Sequence, residues 1–505
     1  MKKTTGVLSG LVIAIAAVTT AGAWYTGKQL PAELERSLAV ANKQLKHSLS
    51  GTGGSVTLEL VSLDQHLFTS TAHYRVKATD VQTGGAPLNF EVAVVDHLEH
   101  GPFPWSRVKA LRLLPVMAAS NAELQKDDHT AAWFAAAGGQ SPLQAQVSLG
   151  YGGSVDSRIS VLPLQVDEGN GNTLDFSGLQ LRVDSDRDAE HLKLSGTADT
   201  LDVTLLDQDR QPVRMHFKGF SVAGDLARAG GAMVYAGSLD AALAESRFIP
   251  GADQGDEDPG VVLKGLEGHS VTTANGDRMD GRVLYKVADI SFAGRAVGAG
   301  EMAFSLKGYN ALALQSLAEW YATKLPQVQA AQAAGIPFPS IDMTTEERAK
   351  VHADLARLLS GKPQIALENL SLKTAHGESR FSLRVDLANP ASFDLPADQL
   401  ARQVVSQVQG KLALSKPMIG DLATLQALLQ GQDDAQDIAR QAGQAGEVVG
   451  LMAVQSGLAT VQGDNVVASL HYADGMVDFN GRKMTVEAFA MMLGGLLQGV
   501  GGPRG

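Results

Sequence analysis

The sequence contains no cysteine in 505 residues. This absence excludes disulfide bonds, thiol nucleophiles and metal sites built on thiolates. It also suits an oxidising compartment, in which a free thiol is open to unwanted oxidation. Absence alone does not specify the compartment, because chance loss of cysteine explains it equally well.

Basic residues are too few for a nucleic-acid-binding protein. Lys and Arg total 42 against 54 Asp and Glu, which gives a formal net charge of −12. Recognition of a phosphate backbone depends on a clustered excess of positive charge, so we predict no nucleic-acid partner. The chain is 44% hydrophobic and 19% charged, which is enough apolar material for a large core.

Long apolar runs are scarce too, and one stands out at the N-terminus. Lys2 and Lys3 precede the 20-residue segment 6–25, and charge returns at Lys28. A transmembrane helix needs about 20 apolar residues, and the two lysines predict a cytoplasmic N-terminus. We therefore predict a membrane anchor in residues 1–28 that contacts the bilayer through residues 6–25. Its apolar and interfacial positions are Leu8, Leu11, Val12, Ile13, Ile15, Val18, Trp24 and Tyr25.

A cleaved signal peptide is the alternative for the same segment. Ala21-Gly22-Ala23 has the small-x-small form that signal peptidase accepts, so cleavage after Ala23 would release the body of the protein. The anchor is favoured because the apolar run exceeds the usual signal core of about 7–15 residues. Either outcome exports the rest of the chain.

After this segment the hydrophobic period is mostly two, which is typical of β-strands. Residues 56–60 and 88–94 show the alternation, and helical spacing is confined to shorter segments. We predict a β-rich α+β fold, consisting of a long curved antiparallel meander sheet with inserted helices and one N-terminal transmembrane helix.

A loose repeat supports the meander. Alternating apolar residues are interrupted at Gly178, Gly219, Gly265 and Asn369, and the apolar residues resume at once. Glycine and asparagine tolerate positive φ, so we predict a bulge or bend at each position. The spacing is not strict, so chance similarity between exported strands is the alternative explanation.

The patterns divide the chain into eight segments. In order they are the anchor or signal segment 1–28, an amphipathic helical connector 29–50, a β-rich domain 51–310 with a helical insert near 118–137, a helical pair 311–362, a β segment 363–416, a helical segment 417–462, a C-terminal β-hairpin 463–486 and an apolar, glycine-rich tail 487–505. We expect the first helix of the pair to end at Pro326, and the glycines of the tail to weaken a helix there.

No catalytic signature is present. Neither G-x-S-x-G nor the phosphate loop G-x-x-x-x-G-K-[ST] occurs, and we predict no cofactor and no metal site. The densest polar cluster follows the strand at 88–94. Residues three apart on a strand face opposite ways, so His97 and His100 would share a ligand only if a turn intervened. A structural turn is therefore favoured over chemistry for His97, Glu99, His100, Gly101, Pro102 and Phe103.

Several segments together resemble the YdgA-like family of Gram-negative envelope proteins. They are Gly22-Ala23-Trp24-Tyr25-Thr26-Gly27, Thr69-Ser70-Thr71-Ala72-His73-Tyr74-Arg75-Val76, His97-Leu98-Glu99-His100-Gly101-Pro102-Phe103 and Asn480-Gly481-Arg482-Lys483-Met484. The resemblance runs the full length and is strongest in residues 1–105. It implies a single-pass inner-membrane anchor and a periplasmic body, or a free periplasmic protein after cleavage. The family is of unknown function, so no catalytic residue carries over.

Three functions fit these patterns. The first, which we favour, is a non-catalytic scaffold or interaction protein of the envelope, whose open sheet edges are covered by self-association or by another envelope protein. The second is a lipid-binding protein with an apolar groove in its curved sheet, as in AsmA-like envelope proteins. The third is a hydrolase that uses His97, Glu99 and His100. We predict that the protein is not an enzyme.

One observation separates the scaffold from the lipid-binding protein. Inward strand positions either pack against the helices or line an open groove. The positions to inspect are Phe176, Leu181, Phe217 and Val222.

Overall fold

The computed structural model describes residues 34–35, 38–39, 41–43, 45, 54–81, 88–207, 211–229, 234–251, 260–335, 341–432 and 434–500. Within these residues the chain is mostly β, with 22 strands in a large antiparallel meander sheet and a few helices. The predicted β-rich meander is therefore confirmed. The strands divide between two compact units, which are described separately.

Unit 1 runs to Arg228 and also includes Pro250–Ala252 and Gln315–Thr344. Its strands are β1 (Ser55–Gln65), β2 (Thr69–Val81), β3 (Leu88–His100), β4 (Ala118–Leu124), β5 (Leu143–Leu149), β6 (Ser154–Val161), β7 (Leu164–Asp167), β8 (Thr173–Phe176), β9 (Leu179–Asp186), β10 (His191–Leu206) and β11 (Pro212–Arg228). Two short helices lie between them, α1 (Trp105–Lys109) and α2 (Ala131–Ala136).

Unit 2 comprises Ala229–Ile249, Asp253–Leu314 and Thr345–Gly505. The strands after β11 are β12 (Tyr235–Pro250), β13 (Val261–Asn275), β14 (Arg278–Phe292), β15 (Arg295–Asn310), β16 (Gln364–Lys373), β17 (Glu378–Leu387), β18 (Val405–Ser415), β19 (Thr460–Gln462), β20 (Asn465–Ala473), β21 (Met476–Phe479) and β22 (Arg482–Thr485). Helix α3 (Ala311–Ala333) begins in unit 2 and belongs to unit 1 from Gln315 onward; the later helices, all in unit 2, are α4 (Thr345–Leu359), α5 (Ala397–Val404), α6 (Lys416–Leu429), α7 (Ala435–Gln455) and α8 (Val486–Val500).

The core of unit 1 lies between the strands and the connector. The described connector residues are helical, and Leu34 and Leu38 are buried among inward-facing residues of β1 to β3 such as Leu58 and Val94. The Asn42 amide bonds both backbone groups of Leu58, at 2.8 Å to the N–H and 2.9 Å to the carbonyl. Burial of the leucines and this paired bond fix the helix on the sheet.

The repeat positions are bends, as predicted. Gly178, Gly219 and Gly265 have φ of 99°, 69° and 59°, and Asn369 lies at a register shift between β16 and β17. In a regular strand, residues three apart face opposite ways. At Gly178 they do not: Phe176 and Leu179, on either side of it, pack against the same core. The repeat therefore lets an apolar face continue past a bend.

The predicted helix in 118–137 is corrected by the structure. Residues 118–124 form β4, which pairs with β3 and β5, and only Ala131–Ala136 are helical. Alanine favours helices, but Ala118, Ala119 and Ala122 are buried between two neighbouring strands. Tertiary pairing therefore overrides the local preference.

Two expectations about helix ends also change. Helix α3 does not end at Pro326 but continues to Ala333, because a proline removes one hydrogen bond and alanine-rich sequence follows it. The glycine-rich tail is helical as α8 up to Val500. The segment predicted as a hairpin carries a third strand, β22, and the helical segment before it ends in β19.

The predicted anchor lies outside the described residues. This applies to residues 1–28, including Leu8, Trp24 and Tyr25, and to the connector residues other than 34–35, 38–39, 41–43 and 45. In the part of the chain that the structure describes, we find no helix with the length and apolar character that a membrane span requires.

Candidate functional site

The polar cluster after residue 94 belongs to strand β3 and to the loop that follows it. Strand β3 continues through His100, so no turn lies between His97 and His100. His97 is exposed, between the buried residues Asp96 and Leu98. Alternation therefore places His97 and Glu99 on one face of β3 and His100 on the other. The two histidines are not brought together.

His100 joins β3 to the tip of the β1–β2 hairpin. Its Nδ1 lies 3.1 Å from the carbonyl oxygen of Leu67, and its Nε2 lies 3.1 Å from the hydroxyl of Ser70. A carbonyl oxygen only accepts, so Nδ1 donates to Leu67, and Nε2 forms the second hydrogen bond with the Ser70 hydroxyl. The backbone N–H of His100 also donates to Phe68 at 2.8 Å. Both ring nitrogens are thus used within the fold.

Glu99 orders the loop after β3. Its carboxylate accepts from the Ser106 backbone N–H at 2.9 Å and from the Ser106 hydroxyl at 2.6 Å. Asn121 donates to the same hydroxyl at 3.3 Å. Since charge-assisted hydrogen bonds to backbone N–H groups stabilise a first helical turn, Glu99 fixes the start of α1.

Gly101, Pro102 and Phe103 begin this loop. The Gly101 N–H donates to Met117 at 2.8 Å, and the Pro102 carbonyl accepts from Val116 at 3.0 Å. A Cβ on Gly101 would lie 2.0 Å from the Val116 oxygen, so only glycine fits there. Phe103 is exposed. Among the described residues, no three His, Asp or Glu side chains are grouped as a metal site.

A buried carboxyl beside His97 was missed by sequence reasoning. Asp96 follows Val92 and Val94 in the core-facing register, and a polar residue in that register was the signal that could have identified it. Burial raises the pKa of Asp96 from 3.8 to about 7, against the lowering effect of the Ser120 hydrogen bond. The Tyr74 hydroxyl is buried nearby, and burial followed by the charge of Asp96 raises its pKa.

A second candidate site is a face of the sheet in unit 2. Residues directly opposite each other on paired strands share a face. Three neighbouring rows of such residues cross β14 to β20, and we call them together the apolar face. The rows are Tyr285, Met302, Leu370, Phe381 and Leu412; then Val283, Phe304, Leu367, Leu383, Gly410 and Leu470; then Leu306, Ile365, Val385, Val408 and Tyr472.

The apolar face is partly open to solvent: its side chains are exposed or half-buried, and only Gly410 is buried. Tyr285 is 50% exposed, Leu370 45% and Phe304 41%. Apolar side chains in a core are almost fully buried. This face is therefore a surface rather than a core.

The alternate residues of the same strands form a polar face. It carries Arg282, Arg380, Arg384 and Lys411, and Arg282 pairs with Glu368 at 2.7 Å between Nε and Oε2. A cavity of about 680 Å³ lies against β16, β17, β18 and β20, with Glu368, Arg380 and Lys411 in its lining. The sheet of unit 2 is therefore strongly two-sided.

The four residues that separate scaffold from groove give a mixed result. Phe176 and Leu181 pack against the core of unit 1. Phe217 and Val222 are half-buried and lie opposite Leu201 and Gly196 of β10. The open apolar surface is clearest further along the chain, on strands that sequence reasoning did not single out.

Comparison with known proteins places this architecture in a family. A family model described as "Bacterial protein of unknown function (DUF945)" matches residues 1–487. The chain belongs to this family. The DUF945 match covers the turn after β3 and the whole apolar face, and it carries no functional residue with it.

Two full-length relatives agree with the family. Protein YdgA of Escherichia coli strain K12 is 27% identical over 493 residues, covering 96% of this chain and 95% of YdgA. The uncharacterized protein YihF of the same organism is 23% identical over 498 residues, covering 96% of this chain and 98% of YihF. The resemblance to YdgA-like proteins is thereby confirmed. No solved structure matches the chain.

Proposed function

We propose that the chain is a non-catalytic, membrane-tethered protein of the periplasm that binds lipid acyl chains on its apolar face. The observation that carries this proposal is the exposure of that face. Leaving it in water is unfavourable by about 25 cal/mol for each Å² of apolar area, so a bound hydrocarbon would relieve this cost. We also propose that the sheet is curved, so that it wraps around the bound acyl chain.

The chemistry of the face favours hydrocarbon over a polar ligand. The row from Tyr285 to Leu412 offers a single polar side-chain atom, the tyrosine hydroxyl, so it cannot satisfy a ligand rich in hydrogen-bonding groups. Four steps between strands span about 19 Å. One leaflet of a bilayer core is about 15 Å thick, so the row is long enough for an acyl chain.

The turn after β3 supports a non-catalytic role. Both nitrogens of His100 are engaged by Leu67 and Ser70, and the Glu99 carboxylate is engaged by Ser106. A general base must be free to reach a substrate proton. These groups instead hold a loop in place.

The tether rests on the sequence of residues 6–25 and on the short distance to the fold. Nine residues lead from Tyr25 to the buried Leu34. Fully extended, they reach about 30 Å. An uncleaved anchor would thus hold unit 1 close to the outer surface of the inner membrane.

Photo-crosslinking at two adjacent residues tests the ligand. Tyr285 points to the apolar face and Lys286 to the polar face. With a benzophenone amino acid at each position of the full-length chain in cells, we expect phospholipid adducts at 285 and none at 286. Equal lipid adducts at both positions, or none at 285, would contradict lipid binding.

The scaffold is the second candidate, and the same open face favours it. A partner protein or a second copy could cover the apolar rows in place of lipid. In that case the adducts at 285 would be protein only, and those adducts would identify the partner. Alkaline extraction of membranes tests the tether separately, and the intact mass of the mature chain shows whether cleavage follows Ala23.

A further inference from the structure

Three connections meet at one end of unit 1. They are the β1–β2 tip, the loop from Gly101 to Met117 and the β5–β6 turn, which antiparallel order brings to the same end. His100 bonds the first to the second through Leu67, and Met117 N–H donates to Leu149 at 2.7 Å, which joins the second to the third. We call this end the loop cluster.

Large apolar side chains project from the loop cluster into solvent. Leu111 is 84% exposed, Leu67 81% and Leu114 79%. Five others are between 58% and 72% exposed: Phe68, Phe103, Trp105, Leu113 and Tyr151. At the opposite end, the described connection from β4 to β5 carries no exposed large hydrophobic side chain. Eight such residues in one place are more than a soluble surface ordinarily shows.

The loop cluster is also basic in an acidic protein. Residues 101–117 contain Arg107, Lys109 and Arg112 and no Asp or Glu, although the chain has a net charge of −12. Among the acids at this end, Glu99 accepts from Ser106 and Asp156 pairs with Arg182 at 2.6 Å, while Asp64 of β1 and Asp188 of the β9–β10 turn are exposed. Lys109 Nζ lies 5.5 Å from the centre of the Trp105 ring.

We infer that the loop cluster inserts into the surface of an anionic phospholipid bilayer. Leucine and phenylalanine at loop tips suit the acyl boundary, tryptophan and tyrosine suit the headgroup level, and Lys and Arg pair with anionic headgroups. This combination matches a membrane surface better than a protein groove. The inference rests on the tether of the proposed function, because the reach of about 30 Å from Tyr25 to Leu34 keeps unit 1 near that surface.

The lack of native cysteine allows a direct test. The full-length chain carrying Leu114→Cys is labelled with an environment-sensitive dye and reconstituted into vesicles that contain doxyl-labelled lipid. In vesicles of equal parts phosphatidylcholine and phosphatidylglycerol, we expect the dye to be quenched. The matched control is Asp128→Cys at the opposite end of unit 1, which is exposed and should not be quenched.

Charge variants test the anionic preference. Lys109→Gln and Arg112→Gln should each weaken the binding of the loop cluster to the anionic vesicle surface by roughly 5-fold. One basic residue near such a surface contributes about a factor of that size. In vesicles of phosphatidylcholine alone, the dye on the Leu114→Cys chain without a charge substitution should be quenched less.

Two results would overturn the inference. One is an absence of quenching at Leu114→Cys in every vesicle composition. The other is formation of disulfide-linked dimers when the unlabelled Leu114→Cys chain is oxidised in the same vesicles, which would make the loop cluster an interface between copies. If quenching is absent but the chain withstands alkaline extraction from the same vesicles, the inference fails while the tether stands.

Discussion

The Ser120 hydroxyl donates a hydrogen bond to Asp96 Oδ1 at 2.7 Å in the core of unit 1. The other carboxyl oxygen has no partner among the described residues, and burial raises the pKa of Asp96 to about 7. A pKa higher in the folded state than in the unfolded state means that the fold binds this proton more tightly. The resulting stabilisation is complete below about pH 4 and is lost as the pH rises through 7.

Replacing Asp96 with Asn should remove this pH dependence. The wild type should lose up to about 4 kcal/mol of unfolding free energy between about pH 4 and pH 8, following the pKa change of about three units. Asp96→Asn keeps an acceptor for Ser120 and has no charge to bury, so its stability should be nearly constant. Urea titrations followed by tryptophan fluorescence measure this, because Trp105, Trp133 and Trp320 all belong to unit 1. Parallel pH profiles for the two proteins would contradict the assignment.

His100 should matter for stability, and its neighbour His97 should not. His100→Ala removes the bonds to Leu67 and Ser70, and a loss of about 1–3 kcal/mol is expected because a buried partner is left unsatisfied. His97→Ala changes an exposed residue of the same strand and should stay within about 0.5 kcal/mol. Urea midpoints for the two variants decide between them. Equal stability of both would argue against the structural role of His100.

Gly101 should tolerate no side chain. In Gly101→Ala the new Cβ would lie 2.0 Å from the Val116 oxygen, so the two ends of the loop must move apart. We expect a cost of more than about 2 kcal/mol. Gly152→Ala is the control, since nothing lies within 4 Å of its Cβ position. Thermal unfolding of unit 1 measures both, and a neutral Gly101→Ala would show that the loop closes differently.

The bend at Gly265 should depend on space as well as on conformation. Gly265 and Gly276 both have positive φ, at 59° and 61°, but only at Gly265 does a Cβ meet a neighbour, Ala288 Cβ at 2.8 Å. Gly276→Ala should cost about 1–2 kcal/mol from conformation alone. Gly265→Ala should cost more. Hydrogen exchange of the β13 and β14 amides measures the difference. Equal protection in the two variants would contradict the added cost of the contact with Ala288.

Sequence reasoning reached the strands because alternation is a local signal. Leu88, Phe90, Val92 and Val94 predicted β3, and the repeat glycines predicted bends without any knowledge of partners. It failed where pairing with distant strands determines the secondary structure. The alanines of Ala118 to Leu124 favour a helix locally, but pairing with β3 and β5 makes the segment a strand. The site divided in the same way. The opposite facing of His97 and His100 follows from strand geometry, whereas the rows of the apolar face depend on registers between distant strands, which a single sequence does not contain.

The bend at Asn369 has a practical consequence. Because Leu367 and Leu370 face the same way, apolar side chains stay together on the apolar face, and charged side chains lie on the polar face. Averaged along the chain the two kinds cancel, and the mean hydropathy is −0.02. The chain should therefore retain detergent on the apolar face of unit 2, although its mean hydropathy gives no sign of such a surface.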